Sequence, residues 1–176
     1  MKKLHEMIEV EIKANIEKKE IEKRLTLLGI KLIEREHQID TYFDHPYYNF
    51  KKRDKALRVR ETENNFFLTY KGKKLDKETK TRKEIEIKVE REIFSLLKTL
   101  GFFEVGKVEK IRDFYQWNNL RIYLDKVRNL GDFLEIEGKK WEDKKRIFKL
   151  LKKINIKKEN LIRKSYLELL KAGLED

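Results

Sequence analysis

The sequence predicts an α+β protein built on an antiparallel sheet of about eight strands with helices packed against it. Three observations predict this fold. Short segments alternate charged and apolar residues. Four stretches carry apolar residues at helical spacing. The order of elements in the first part of the chain recurs in the second. The 176 residues suffice for one domain, 1–176, with a core of its own.

The elements follow in order. Glu9-Val10-Glu11-Ile12-Lys13 alternates with period two, so its charged and apolar side chains take opposite faces of a strand. Ile21, Leu25 and Leu28 then give one apolar stripe on a helix spanning roughly 16–28, and Gly29 ends it. Strands are expected at about 30–43, 56–61 and 65–71, where Tyr, Phe, Val and Ile are frequent. The stretch 72–81 (GKKLDKETKT) is polar, lacks a hydrophobic period and reads as a mobile loop.

The pattern then starts again. Residues 84–101 (EIEIKVEREIFSLLKTLG) echo 9–29 (EVEIKANIEKKEIEKRLTLLG): Glu-x-Glu-x-Lys, a helical stretch, Leu-Gly. Asp113-Phe114-Tyr115 answers Asp40-Thr41-Tyr42, and Leu120-Arg121-Ile122 answers Leu57-Arg58-Val59. Two half-repeats, about 8–72 and 83–138, are therefore expected, the second with a helix near 90–100 and strands near 102–116, 120–127 and 132–138. The tail, 141–173, predicts helices near 141–153 and 158–172.

Composition excludes much. There is no Cys, so disulfides, thiolate-bound metals and thiol catalysis are out. No apolar run approaches the ~18 residues of a membrane span, and the N-terminus lacks the apolar core of a signal peptide, so a cytoplasmic protein is expected. No phosphate-binding glycine loop of the P-loop or Rossmann kind occurs. The net charge of +12 suits an anionic partner.

The ionic strand faces carry the chemistry. Carboxylates recur as i, i+2 pairs, Glu9/Glu11, Glu84/Glu86 and Glu135/Glu137, with Asp125 alone. Oxygen-only sets without His or Cys suit Mg²⁺ or Mn²⁺. Cations stand apart from them: Lys13, Arg58, Arg60, Lys71, Arg82, Lys110 and Arg112, whose forks and point charges match phosphate oxygens. A half-exposed sheet with a solvated ionic face is the ordinary alternative. If the sheet closes, the same faces line an interior, a costly arrangement that makes sense around a ligand. His5, His37 and His45 are read as surface or structural, Phe66, Phe67 and Phe114 as core packing, Tyr166 as packing for its helix, and Lys149, Lys152 and Lys153 as a solvated helix face.

The ordered set resembles the CYTH superfamily, the triphosphate tunnel metalloenzymes, nearest to its class IV adenylyl cyclase branch. Besides Glu9-x-Glu11-x-Lys13 it includes Asp40-Thr41-Tyr42-Phe43-Asp44, Leu57-Arg58-Val59-Arg60, Leu68-Thr69-Tyr70-Lys71-Gly72, Arg82-x-Glu84-x-Glu86 and Lys110-x-Arg112. It ends with Leu124-Asp125 and Phe133-Leu134-Glu135-Ile136-Glu137. The resemblance implies a closed eight-stranded antiparallel tunnel that binds a triphosphate with Mg²⁺ or Mn²⁺. Glu9, Glu11, Glu84, Asp125, Glu135 and Glu137 would hold metal. Lys13, Arg58, Arg60, Lys71, Arg82, Lys110 and Arg112 would hold phosphates, with Lys13, Arg60, Lys110 and Arg112 at the reacting groups. The substrate would be ATP, cyclised to cyclic AMP and pyrophosphate, or alternatively tripolyphosphate or thiamine triphosphate, hydrolysed at the terminal phosphate. A homodimer is a further expectation from that branch. Two other readings stay open: a silent polyphosphate-binding protein, and a single-strand nucleic-acid binder using Tyr47, Tyr48, Phe50, Lys51, Lys52 and Arg53.

Overall fold

A computed structural model describes residues 7–173; His5 lies outside them. Eight antiparallel strands close into a barrel: β1 (Met7–Asn15), β2 (Leu32–Asp44), β3 (Ala56–Glu61), β4 (Phe66–Lys71), β5 (Arg82–Val89), β6 (Phe103–Trp117), β7 (Leu120–Val127) and β8 (Gly131–Gly138). They pair around the ring in the order β1-β5-β4-β3-β2-β6-β7-β8. Register decides the chemistry, because every strand reads with period two. Glu11 faces Glu137, Lys13 faces Glu135, Asp40 faces Arg60, Lys71 faces Glu84 and Arg112 faces Asp125. The ionic sides therefore all point into the barrel.

The apolar sides point out and are covered by helices. Val10, Ile12, Ile122, Leu124, Leu134 and Ile136 are buried against Ile21 and Leu25 of α1 (Lys18–Leu27) and Ile147, Leu150 and Leu151 of α3 (Asp143–Lys153). Phe43, Leu57 and Val59 bury with Phe50 under Leu97 of α2 (Ile93–Thr99). Each largely buried aliphatic side chain contributes about 1.5–3 kcal/mol, and this outer layer offsets the cost of an ionic interior. Gly29 and Gly101 take positive φ just past α1 and α2, the left-handed stop their positions predict. No helix among the described residues is long and apolar enough to cross a membrane.

Two expectations are corrected. The helix expected over 158–172 is only Tyr166–Ala172, α4. Lys158–Asn160 is a single 3₁₀ turn, and Leu161 pairs with Ala14 at the edge of β1, with Ile162 N–H donating to the carbonyl of Lys13 (2.8 Å). An edge that can take a backbone partner outweighs helix propensity here. α4 starts at a capping box: Glu168 N–H donates to Ser165 Oγ, and Ser165 N–H to the Glu168 carboxylate. The second correction is the polar stretch 72–81. Its end, Thr79–Thr81, is buried, and Asp76 ties it down by accepting from the backbone of Glu78 and Thr79 and from Lys144. Lys74, Asp76 and Lys80 pair with Asp54, Lys144 and Glu11 of other segments, while Lys73, Lys77 and Glu78 stay exposed.

The barrel rim is tight where β8 meets α3. A Cβ on Gly138 would stand 2.4 Å from Cβ of Asp143, whose carboxylate accepts from the Lys139 and Lys140 amides and from Asn119. Gly138→Ala is expected to destabilise the fold by about 1–3 kcal/mol, read as a lower midpoint in urea at unchanged slope.

Candidate active site: an ionic tunnel

The barrel encloses a cavity of about 820 Å³. Its lining sorts into three groups. At one side, one oxygen each of Glu9, Glu11 and Glu137 come within 4.8 Å of one another. Lys71 bridges Glu9 (3.1 Å) and Glu84 (2.8 Å), and Lys80 donates to Glu11 (2.6 Å). Glu137 has no ion pair among the described residues. Burial, then the neighbouring Glu9, pushes its carboxyl up to about 8. Glu9 is likewise pushed up to about 6, by burial and then, against Lys71, by Glu84. A buried set of hard oxygens with one carboxylate, Glu137, left without a cation among the described residues fits a Mg²⁺- or Mn²⁺-sized ion.

The second group is the Asp40 hub. Arg60 grips its carboxylate with both fork nitrogens (2.7 and 2.8 Å), and Arg58 and Lys110 stand at 3.6 and 3.8 Å. Arg58 also donates to Thr69 (3.0 Å) and reaches Glu86 (3.3 Å). The third group is the Asp125 hub. Arg112 grips it twice (2.7 and 2.6 Å) and also donates to Glu135, and the Tyr166 hydroxyl donates to it (2.8 Å). Lys13 pairs with Glu135 (3.1 Å), lies 3.6 Å from the Tyr166 ring centre and donates to the Lys164 carbonyl (3.4 Å).

Cations gather here in surplus. Burial, then Lys80, pushes Lys13 down to about 7; burial, then Arg112, pushes Lys110 down to about 8. Arg82 is buried in the lining without an ion pair, and the Nε atoms of Arg82 and Arg58 have no partner among the described residues. Buried guanidinium groups with spare donors are suited to phosphate oxygens.

All the residues expected to hold metal or phosphate line this one cavity except Asp125, which lies directly behind Arg112 and Lys110. The structure does not bring every expected carboxylate to the Glu9/Glu11/Glu137 cluster. Glu84 answers Lys71, and Asp125 and Glu135 answer Arg112, Lys13 and Lys110. Sequence reasoning gave no role to Lys80 or Asp40 and favoured packing for Tyr166 over the reach to the site that it also allowed. Lys80 has the strand parity of Arg82, Glu84 and Glu86, a signal that extending β5 backward by two residues would have found. His37 bonds Glu109 at the surface and His45 packs on Phe102, both outside the cavity. Phe66 does pack outside, against Phe94, whereas Phe114 stands against Tyr123. The aromatic segment considered for nucleic acid is folded on itself only in part: Phe50 is buried and Arg53 and Lys55 lie over the ring of Tyr48, whereas Tyr47, Lys51, Lys52 and Arg53 are exposed.

A closed antiparallel barrel lined by interleaved carboxylates, Arg and Lys defines the class as an ionic-tunnel protein. Comparison makes this specific. The chain belongs to the CYTH domain family, whose sequence profile matches residues 7–166. A Methanocaldococcus jannaschii protein that bears a provisional adenylate cyclase name is 44% identical over 172 residues, covering 93% of this chain and 98% of the relative. The structure of the PH1819 protein of Pyrococcus horikoshii superposes with a TM-score of 0.84 at 36% identity, covering 94% and 99%. HpAC1 of Hippeastrum shares the fold at 18% identity and TM-score 0.71, covering 95% of this chain and 96% of that one; its structure is described as that of an adenylyl cyclase candidate with dominant triphosphatase activity. The CYTH family binds triphosphates, depends on metal and consists largely of enzymes.

The Glu137 carboxyl carries a pH signature. Folded, it keeps its proton to about pH 8; its ordinary value is 4.5. Between these limits the folded chain binds more protons than the unfolded one, so stability falls as pH rises, and the loss is complete above the folded value. Glu137→Gln is expected to melt above wild type at about pH 8.5 in chelator, with the gap closing toward pH 4.5; thermal scans across pH check it.

Proposed function

We propose that the protein is a divalent-metal-dependent enzyme that holds a triphosphate in its tunnel, acting as an adenylyl cyclase of class IV type on ATP. The observation that carries this reading is the meeting, in one cavity, of an under-neutralised carboxylate cluster and buried cations with unused donors. Glu9, Glu11 and Glu137 would hold Mg²⁺ or Mn²⁺, with Glu84, Asp125 and Glu135 supporting the ring of charge. When bound, the ion supplies a lowered nucleophile pKa and neutralises phosphate charge.

The chain's own groups do the rest. Arg58, Lys71 and Arg82 hold the phosphate chain. Arg60, Lys110 and Arg112 face the charge that develops on the leaving oxygens, fixed in advance by Asp40 and Asp125, so little reorganisation is needed as the reaction proceeds. Lys13 combines contact with phosphate and a value near 7, which lets it accept a proton at its Nζ. In cyclisation that proton comes from the ribose 3′-hydroxyl as its oxygen bonds the α-phosphorus and pyrophosphate leaves. The provisional cyclase name of the Methanocaldococcus jannaschii relative, at 44% identity, favours this reaction.

A second reading, hydrolysis of the terminal phosphate of tripolyphosphate, thiamine triphosphate or ATP, needs no nucleoside pocket and uses the same cations with water as the proton donor. The density of buried charge around the phosphates favours it. A product assay on ATP, tripolyphosphate and thiamine triphosphate with each metal separates the two: cyclic AMP with pyrophosphate, or orthophosphate alone. Turnover of none of them would remove both readings. Arg60→Ala is expected to lower kcat about ten-fold or more with KM changed less, the loss of a cation placed at the charge that develops in the reaction. Glu137→Ala is expected to abolish metal-dependent turnover while the protein still folds; full activity in that variant would displace Glu137 from the metal set.

A further inference from the structure

Lys80 enters the tunnel from outside the barrel strands. The segment 72–81 that delivers it is fastened at several points. Leu75 N–H donates to the Thr81 carbonyl (2.7 Å), Lys144 donates to the Asp76 carboxylate (2.7 Å), and Arg163 donates to the Asp76 carbonyl (2.8 Å). Lys80 itself is clamped to β1, its N–H donating to the carbonyl of Glu11 (2.9 Å). Its ammonium reaches Glu11 Oε1 at 2.6 Å and its side chain is 4% exposed. Glu135 of β8, Lys13 of β1 and, farther off, Glu168 of α4 are its other charged neighbours.

Glu11 therefore faces two claims. Its carboxylate belongs to the three-oxygen cluster with Glu9 and Glu137. It is also the partner of an ammonium with little access to water. A divalent cation and an ammonium on one small carboxylate repel each other strongly in a cavity that screens them poorly. On losing Glu11, the ammonium can only swing on its own stem, because its backbone stays clamped to β1. The room left to it lies toward Lys13, where cations already crowd and where a phosphate would be bound.

We propose that Lys80 is a built-in counter-ion of the carboxylate cluster: it neutralises Glu11 while no metal is bound, is displaced by an entering divalent ion, and then joins Lys13 as a cation for phosphate. This rests on the metal reading above. It makes metal and triphosphate binding mutually favourable, since the ion frees the ammonium and the phosphate takes it up, and such coupling is reciprocal.

The test uses Mn²⁺ alone as the probe, its binding followed by the loss of the free-ion electron paramagnetic resonance signal. Lys80→Met keeps the stem and removes the charge. It is expected to bind Mn²⁺ about ten-fold more tightly than wild type, and to lose about ten-fold of the gain in tripolyphosphate affinity that Mn²⁺ gives wild type. Lys80→Arg, which keeps the charge, is expected to stay near wild type in both. Folded Lys80→Met with unchanged or weaker Mn²⁺ affinity overturns the proposal. If circular dichroism shows Lys80→Met unfolded, Asp76→Ala decides: it slackens the segment without touching the tunnel, so Mn²⁺ affinity should rise several-fold, and an unchanged value overturns the proposal. Wild type that binds no Mn²⁺, or binds it as well after Glu137→Gln, removes the metal reading and this inference together. Binding lost in Glu137→Gln but unaltered in Lys80→Met removes this inference alone.

Discussion

Charge neutrality inside a closed sheet is the constraint on which the rest of this structure depends. Each uncompensated ion taken from water into the barrel costs on the order of several kcal/mol, and the strands turn whole rows of them inward. The fold meets this with two fork-to-carboxylate pairs, Arg60 on Asp40 and Arg112 on Asp125, each joining residues directly opposite across paired strands. These pairs could not exist without the register that places them. The outer apolar faces fix that register, because slipping one strand by a single residue would expose its aliphatic face to the cavity and send its ions under α1 or α3. Core and site are thus two sides of one specification.

That is why so much of the site was legible in the sequence. In a strand, knowing the apolar face gives the other face without further information, and the barrel needs no long-range guess about orientation once the helices claim the outside. Glu9, Lys13, Arg58, Lys110 and Glu137 were found by parity alone. The failures share a cause as well. Lys80 sits before the start of β5, in a stretch whose polarity reads as solvent exposure. Only the tertiary anchors at Asp76, Lys144 and Arg163 turn that stretch inward. Residues 158–165 carry helix-forming side chains, but the free edge of β1 offers backbone hydrogen bonds that the sequence does not announce. The capping box at Ser165 and Glu168 was the one local sign that the helix begins late.

Tyr166 shows what misreading that segment conceals. Its ring packs on Phe133, as a core residue should, while its hydroxyl holds Asp125 and its face lies under Lys13. An amphipathic side chain can do both because its polar tip and apolar body lie at opposite ends. It is therefore the point where the C-terminal helix joins the tunnel's electrostatics. Val108 and Val127 bury beside it, so the apolar end of the interior and the cationic centre meet at one residue.

The two imbalances left by the pairing are of opposite sign and share one cavity. Glu9 and Glu137 hold protons that ordinary carboxyls would have released, whereas Lys13 and Lys110 shed theirs too easily. A divalent ion alone would correct the first and aggravate the second; a polyphosphate alone would do the reverse. Only the two together neutralise both, and a metal–triphosphate complex carries its charges in that order along its length. On the proposed function, the two opposite surpluses would make the cation and the polyphosphate each bind better in the presence of the other, more than any single contact would.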